Sequence, residues 1–186
     1  IENILDMVEL KKEGVISKII VTGCLAQRYK DEIVKEIPEV DAVIGIGANG
    51  DIIKTVEEVM SGVDTIENYP PQCDLPLEGQ RILTTPQYWA YLKIGEGCSN
   101  RCTYCTIPSI RGNMRSRSME NVIDEAKQLA ESGVKELILI AQDTTSYGLD
   151  LYGELKLPEL LNELCKIDSI EWIRLLYCYP DRITDE

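Results

Sequence analysis

The sequence predicts an α/β protein: a partial parallel α/β domain over residues 1–67, a linker over 68–88, and the first half of a β/α partial barrel over 89–186. Three observations predict it. Short β-branched runs alternate with helical stripes, the pattern of parallel sheets covered by helices. The alternation stops at Pro70-Pro71, Pro76, Gly79 and Pro86, residues that punctuate periodic structure. It then resumes for three β/α repeats, fewer than a closed barrel needs, so the rest of the barrel is expected outside these residues.

In the first part, Ile4, Leu5, Val8 and Leu10 form a helical stripe running up to Gly14. Lys18 to Thr22 reads as a buried strand. Ile33, Val34 and Ile37 share one face of a helix that stops before Pro38, and Val40 to Ile46 reads as a second strand. Asp51 to Met60 reads as a helix with Gly62 just beyond its end,. In the second part, Tyr91 to Ile94 reads as a strand and residues 96–117 as a long loop. Ser118 is placed to cap a helix whose apolar face is Val122, Ile123, Ala126, Leu129 and Ala130, with Gly133 at its end,. Leu137 to Ala141 is the next strand, Leu157 to Cys165 the next helix, and Ile170 to Tyr177 a third strand.

Composition narrows the function. The chain has 186 residues, a formal net charge of −13, 44% hydrophobic residues, no His and seven Cys. That apolar fraction supports a packed core. No apolar run approaches the ~18 residues of a membrane span. The chain opens Ile1-Glu2-Asn3-Ile4, with neither Met nor signal peptide, which reads as an internal cut in a cytoplasmic protein. The absence of His excludes His-based catalysis and His-ligated zinc within these residues. The acidic balance opposes a general nucleic-acid coat. Yet Cys98 to Arg117 holds four arginines and no acid, a positive loop in an acidic chain.

That loop carries the chemistry. Cys98-Ser99-Asn100-Arg101-Cys102-Thr103-Tyr104-Cys105 has C-x3-C-x2-C spacing. Three thiolates on one short loop can converge on one metal centre. A closed zinc site needs a fourth ligand, from Cys73, Cys165 or Cys178. A 4Fe-4S cube on three thiolates instead keeps one iron open to a further ligand. The loop leaves the C-terminal end of a strand, where β/α barrels place their chemistry. A zinc-stabilised binding module therefore stands beside an open iron–sulfur cluster.

At these residues the sequence resembles the radical S-adenosylmethionine (SAM) superfamily, whose signature is this spacing with an aromatic residue, here Tyr104, before the last Cys. The strings Gly95 to Cys105, Ile107 to Gly112, Arg115 to Arg117, Ala141 to Gly148 and Trp172 to Pro180 resemble the methylthiotransferase family more narrowly. Val21 to Arg28 resembles that family's N-terminal domain around the last of its three cluster cysteines. Within the family, Ile107 to Gly112 and Ala141 to Thr145 are most similar to the branch that methylthiolates an aspartate on a small-subunit ribosomal protein. The tRNA-adenosine branch has Gln-Asn where this chain has Gln142-Asp143.

The resemblance implies cofactors and partners. Cys98, Cys102 and Cys105 would hold one open-site 4Fe-4S cluster here. Cys24 would be one of three ligands to a second cluster, its two companions lying upstream of Ile1. SAM would chelate the open iron and yield a deoxyadenosyl radical on reduction by an external electron donor. Gln142 and Asp143 would meet the SAM amino group, or else form a polar strand end with a turn. Arg111, Arg115 and Arg117 would hold a carboxylate of SAM or substrate, or else make a solvated basic loop. Tyr104 would contact adenine or pack beneath the loop. The substrate partner would be the ribosomal protein, with no membrane and no direct nucleic-acid role for this stretch. The later strands and a C-terminal substrate-engaging domain are absent, so the fragment is expected to be incomplete for catalysis. No catalytic side chain is singled out.

Two features stand apart. Gly45-Ile46-Gly47-Ala48-Asn49-Gly50 is a G-x-G-x-x-G between a strand and a helix, the dinucleotide context. It would suit a dinucleotide-dependent oxidoreductase if a strand ending in Asp64 or Glu67 followed, but none is convincing there. Glycines of a tight turn are the simpler reading. Cys165 and Cys178 are expected to be small buried hydrophobes.

Overall fold

The computed structural model describes residues 1–63, 65–79 and 81–183, and of Asp31 and Asp74 only the backbone. The chain divides into two compact units, Ile1–Pro76 and Leu77–Glu186.

The first unit is a three-stranded parallel sheet in the order β1-β2-β3. Helix α1 (Glu2–Lys12) precedes β1 (Ile20–Thr22) and buries Val8. The stretch after β1 folds as two short helices, α2 (Cys24–Tyr29) and α3 (Asp31–Glu36). They break at Lys30, whose φ of +40° no helix accommodates,. Strand β2 (Ala42–Ile44) is the central strand and buried throughout. A 3-10 turn over Ile46–Asp51 leads into α4 (Ile52–Met60). The apolar core joins Val8, Ile19, Val21, Ala26, Ile33, Val40 and Val43.

Strand β3 (Ile66–Asn68) departs from the sequence reading, which finds no strand after Gly62. Of its three residues only Ile66 favours a strand; Glu67 and Asn68 do not,. Pairing makes the strand, because β2 offers an open parallel edge and aligns Ala42 with Ile66 and Ile44 with Asn68,. Glu67 therefore does follow the glycine motif on a neighbouring strand; Asp64 lies outside the described residues.

The second unit is the first part of a β/α barrel. Strands β4 (Trp89–Lys93), β7 (Glu136–Ile140) and β8 (Trp172–Leu175) are parallel and adjacent in chain order. The register aligns Tyr91 with Ile138, and Ile138 with Arg174. Between β4 and β7 the loop contains more structure than its sequence suggests. Strands β5 (Gly95–Glu96) and β6 (Arg115–Ser116) pair antiparallel and close it like a clasp, with α5 (Ile107–Arg111) inside. Helix α6 (Met119–Glu131) starts where predicted, with Ser118 Oγ accepting from the Asn121 N–H at 3.3 Å. Helix α7 (Leu149–Tyr152) is a single turn between two left-handed glycines, and α8 (Leu157–Leu164) completes the repeat. Leu92, Leu137, Leu139, Val122, Ala126, Leu160 and Leu164 form the core under the sheet. Leu83, inside the predicted linker, packs against it.

Candidate functional site

The cysteine loop begins at the C-terminal end of β4 and its extension β5. Gly97 makes the exit possible. Its φ is +80°, and a Cβ there would collide with the Asn113 carbonyl and lie 2.7 Å from the Gly112 oxygen,. Cys98 is buried, and its N–H donates to the Gly112 carbonyl at 3.1 Å. Cys102 and Cys105 are half-buried. The Cys105 N–H donates to the Cys102 carbonyl at 3.0 Å, and the Ile107 N–H points at Cys105 Sγ at 3.5 Å. Arg101, between the first two cysteines, holds φ +52°, a left-handed conformation that costs a non-glycine residue about 1 kcal/mol.

Three strand ends meet the loop. From the β7 end, the Asn100 amide donates to Asp143 Oδ2 at 2.7 Å. From beyond β8, Arg182 Nη2 donates to Asn100 Oδ1 at 2.9 Å. The Tyr179 phenol sits against Cys102, and that neighbour together with Asp181 raises the phenol's pKa. The β7 and β8 ends are also tied to each other. The Thr144 N–H donates to the Tyr177 carbonyl at 3.1 Å, and Thr144 Oγ1 lies 3.4 Å from Cys178 Sγ.

This geometry separates the two residues expected at SAM. Asp143 is 3% exposed. Its carboxylate accepts from the Thr145 N–H and hydroxyl, the Ser146 hydroxyl, Asn100 and Arg182. Burial alone would raise its pKa; those hydrogen bonds and the Arg182 charge outweigh it and leave the acid below its ordinary range. Gln142 Oε1 is its opposite: a buried acceptor with no partner among the described residues. A buried orphan acceptor is costly and asks for a donor.

The basic residues separate likewise. Arg111 Nη1 donates to Glu96 at 2.6 Å. Arg117 is 5% exposed and is neither a clamp facing a ligand nor a solvated side chain. It donates to the Lys93 carbonyl and pairs with Glu125, while its Nε finds no acceptor among the described residues. Tyr104 is 89% exposed, so it does not pack beneath the loop. Cys165 is exposed at the end of α8 and Cys178 half-buried. Neither is a core hydrophobe: Cys165 ends α8 just beyond the buried Leu164, on a different side of the helix, and Cys178 lies past the end of β8. Cys24 is the first residue of α2 and exposed in the first unit.

The glycine motif serves packing. A Cβ on Gly45 would strike the Gln27 amide oxygen, and one on Gly47 would strike the Pro71 carbonyl and lie 2.9 Å from that of Pro70. The Ile46 N–H donates to Gln27 Oε1 at 3.0 Å. The close approach that a pyrophosphate would need is taken by the chain itself.

A cluster fits the cysteine loop. The donor set is three thiols without a competing imidazole. Among the described residues no three His, Cys, Asp or Glu side chains converge as ligands of a single ion. A cluster places each thiolate on a separate iron and needs no such convergence.

Residues 92–186 match the Radical SAM superfamily. The chain belongs to the radical SAM superfamily. Residues 1–45 match Uncharacterized protein family UPF0004. The superfamily implies SAM and 4Fe-4S cofactors. Along its whole length the chain is 53% identical to the ribosomal protein uS12 methylthiotransferase RimO of Clostridioides difficile. It is 57% identical to the protein of the same name from Caldanaerobacter subterraneus and 54% to that of a Thermoanaerobacter species. It spans 42% of the length of each of these curated relatives. The radical SAM methyltransferase TsrM of Kitasatospora setae shares the fold, with a TM-score of 0.60 at 14% identity over 85% of this chain and 35% of that one. Among the described residues no helix is long and apolar enough to cross a membrane.

Sequence reasoning missed Asn100, Arg182 and Glu96. Asn100 sits inside the cysteine motif, a signal that was readable; the partners of Arg182 are distant in sequence, and Glu96 joins the near Lys93 to Arg111 across the loop.

Proposed function

We propose that the protein to which this chain belongs adds a methylthio group to the β-carbon of an aspartate of the small-subunit ribosomal protein uS12, in the cytoplasm. The observation that carries this reading is whole-chain identity of 50–57% to relatives that bear that name. It is joined by a cysteine loop whose donors suit an open cluster. Cys98, Cys102 and Cys105 would hold that cluster, and Cys24 would join a second. Together with SAM the cluster would supply radical chemistry able to attack an unactivated carbon.

The chain's own residues do the rest. Gly97 and the β5–β6 clasp aim the loop. Gln142 Oε1, beyond the end of β7 and without a donor among the described residues, would accept from the SAM ammonium. Glu96 holds Arg111 beside the loop, where a guanidinium would attract a carboxylate. Tyr104, exposed, can stack on a purine. No proton relay is needed, in keeping with a chain without His. An external electron donor completes the partners.

The test is mass spectrometry of uS12 and of tRNA from cells lacking the parent gene. A methylthio group lost from uS12 and restored by complementation is expected. Loss from tRNA adenosines with uS12 unchanged would overturn the substrate assignment.

A further inference from the structure

We infer that Arg182 is a positioning residue that sets the cysteine loop through Asp143 and Asn100. The inference rests on the reading that the loop holds a cluster. The three side chains close a ring. Arg182 Nη1 donates to Asp143 Oδ2 at 2.6 Å, Arg182 Nη2 to Asn100 Oδ1 at 2.9 Å, and Asn100 Nδ2 to Asp143 Oδ2 at 2.7 Å. Each corner comes from a different segment: the cysteine loop, the end of β7 and the turn beyond β8. The guanidinium fork bridges an acid and an amide that already touch, so moving any corner costs two bonds. Ser146 Oγ joins the same guanidinium, and the Arg182 guanidinium carbon lies 6.0 Å from the Tyr179 ring, whose phenol meets Cys102.

The corner in the loop is where placement matters. Asn100 stands two residues from both Cys98 and Cys102 and is followed by the left-handed Arg101. A backbone in that conformation persists when its surroundings overdetermine it. Here a buried carboxylate and a guanidinium fix the side chain next to it. The Asp143 side chain is 4% exposed and that of Arg182 28%, so the pair is shielded without being sealed. The ring therefore links the spacing of two thiols to the ends of β7 and β8. Asp143 acts on a bound cofactor through the loop and not by contact.

The experiment uses the full-length parent protein, reconstituted anaerobically with iron and sulfide. Wild type, Arg182→Gln, Asp143→Asn and the double variant are compared by iron content, electron paramagnetic resonance of the reduced cluster, and titration with SAM. Asp143→Asn is isosteric, so it probes the charge pair if Arg182→Gln folds poorly. In each single variant, the resonance spectrum without SAM should change and the SAM needed for half-maximal response should rise about ten-fold. The double variant should be no worse than the poorer single one, since the two act as one unit. Loss of loop iron in a variant with unchanged circular dichroism is the stronger form of the same result. Wild-type spectra and SAM response in both single variants, or additive losses in the double, would overturn the inference. A Cys102→Ala parent protein that keeps the full wild-type iron content, both clusters included, would instead sink the cluster reading beneath it.

Discussion

The Glu96 carboxylate accepts a 2.6 Å hydrogen bond from Arg111 Nη1 while it is itself 1% exposed. Lys93 engages its other oxygen. This buried acid, two residues before Cys98, ties β4 and α5 to the clasp that opens the cysteine loop.

The pair predicts a pH-dependent stability. Burial pushes the Glu96 carboxyl up, but hydrogen bonds from Lys93 and Arg111 outweigh it and leave the pKa below its ordinary 4.5. A carboxyl lowered in the folded state stabilises fully above its unfolded pKa, and that contribution fades as pH falls through the folded one. Glu96→Gln should therefore cost about 2 kcal/mol at neutral pH. The deficit should shrink once the pH drops below about 4.3. Urea denaturation of both proteins across that range checks it, and a deficit that stays constant on acidification would rule out the ion pair as its source.

The glycine motif yields a prediction with an internal control. Gly47→Ala drives a methyl into the Pro71 carbonyl, a rigid backbone neighbour. Overpacking of this kind costs about 2 kcal/mol. A Cβ at Gly50 would meet only Pro76 Cγ at 3.6 Å, ordinary contact, so Gly50→Ala should stay within about 0.5 kcal/mol of wild type. Thermal melts separate the two. Equal losses at both positions would mean that the motif works as a unit, as a nucleotide loop would.

Much of this architecture was legible and some could not have been. Helix α6 announces itself through Ser118, its apolar face and Gly133, because a cap and a 3.6-residue period are local properties. The cysteine spacing is local too. Strands β5 and β6 have two residues each and no period to read; they exist because Gly95 and Ser116 find each other across the loop. The same holds for β3. Arg117 looked like one more charge in a basic loop, and only its pairing with Glu125 on α6 reveals a buried ion pair. The bonds of Asn100 to Asp143 and of Arg182 to Asn100 span 43 and 82 residues. No window on the sequence contains both ends. Long-range polar satisfaction was the hidden part, and it engages the Asp143 carboxylate, an expected cofactor contact, with Asn100 and Arg182.

The last prediction sets stability against binding at Gln142. Its Oε1 is buried and lacks a donor among the described residues. An unsatisfied buried acceptor costs on the order of 1 kcal/mol or more, and replacing it by an apolar group of similar shape removes that cost. Gln142→Met preserves length and flexibility, so the variant should be as stable as wild type or slightly more so. If the orphan oxygen awaits the ammonium of SAM, the same variant should lose much of the SAM-induced change in the reduced cluster's resonance spectrum while its iron content stays at the wild-type level. Gln142→Glu should retain a response, since a carboxylate also accepts from an ammonium, but burial of the new charge should lower its stability. Asp143→Asn serves as the contrast, altering the cluster spectrum before SAM is added. A Gln142→Met protein that is destabilised and still responds normally to SAM would show that the oxygen is satisfied from within the fold, and would remove Gln142 from the cofactor's contacts.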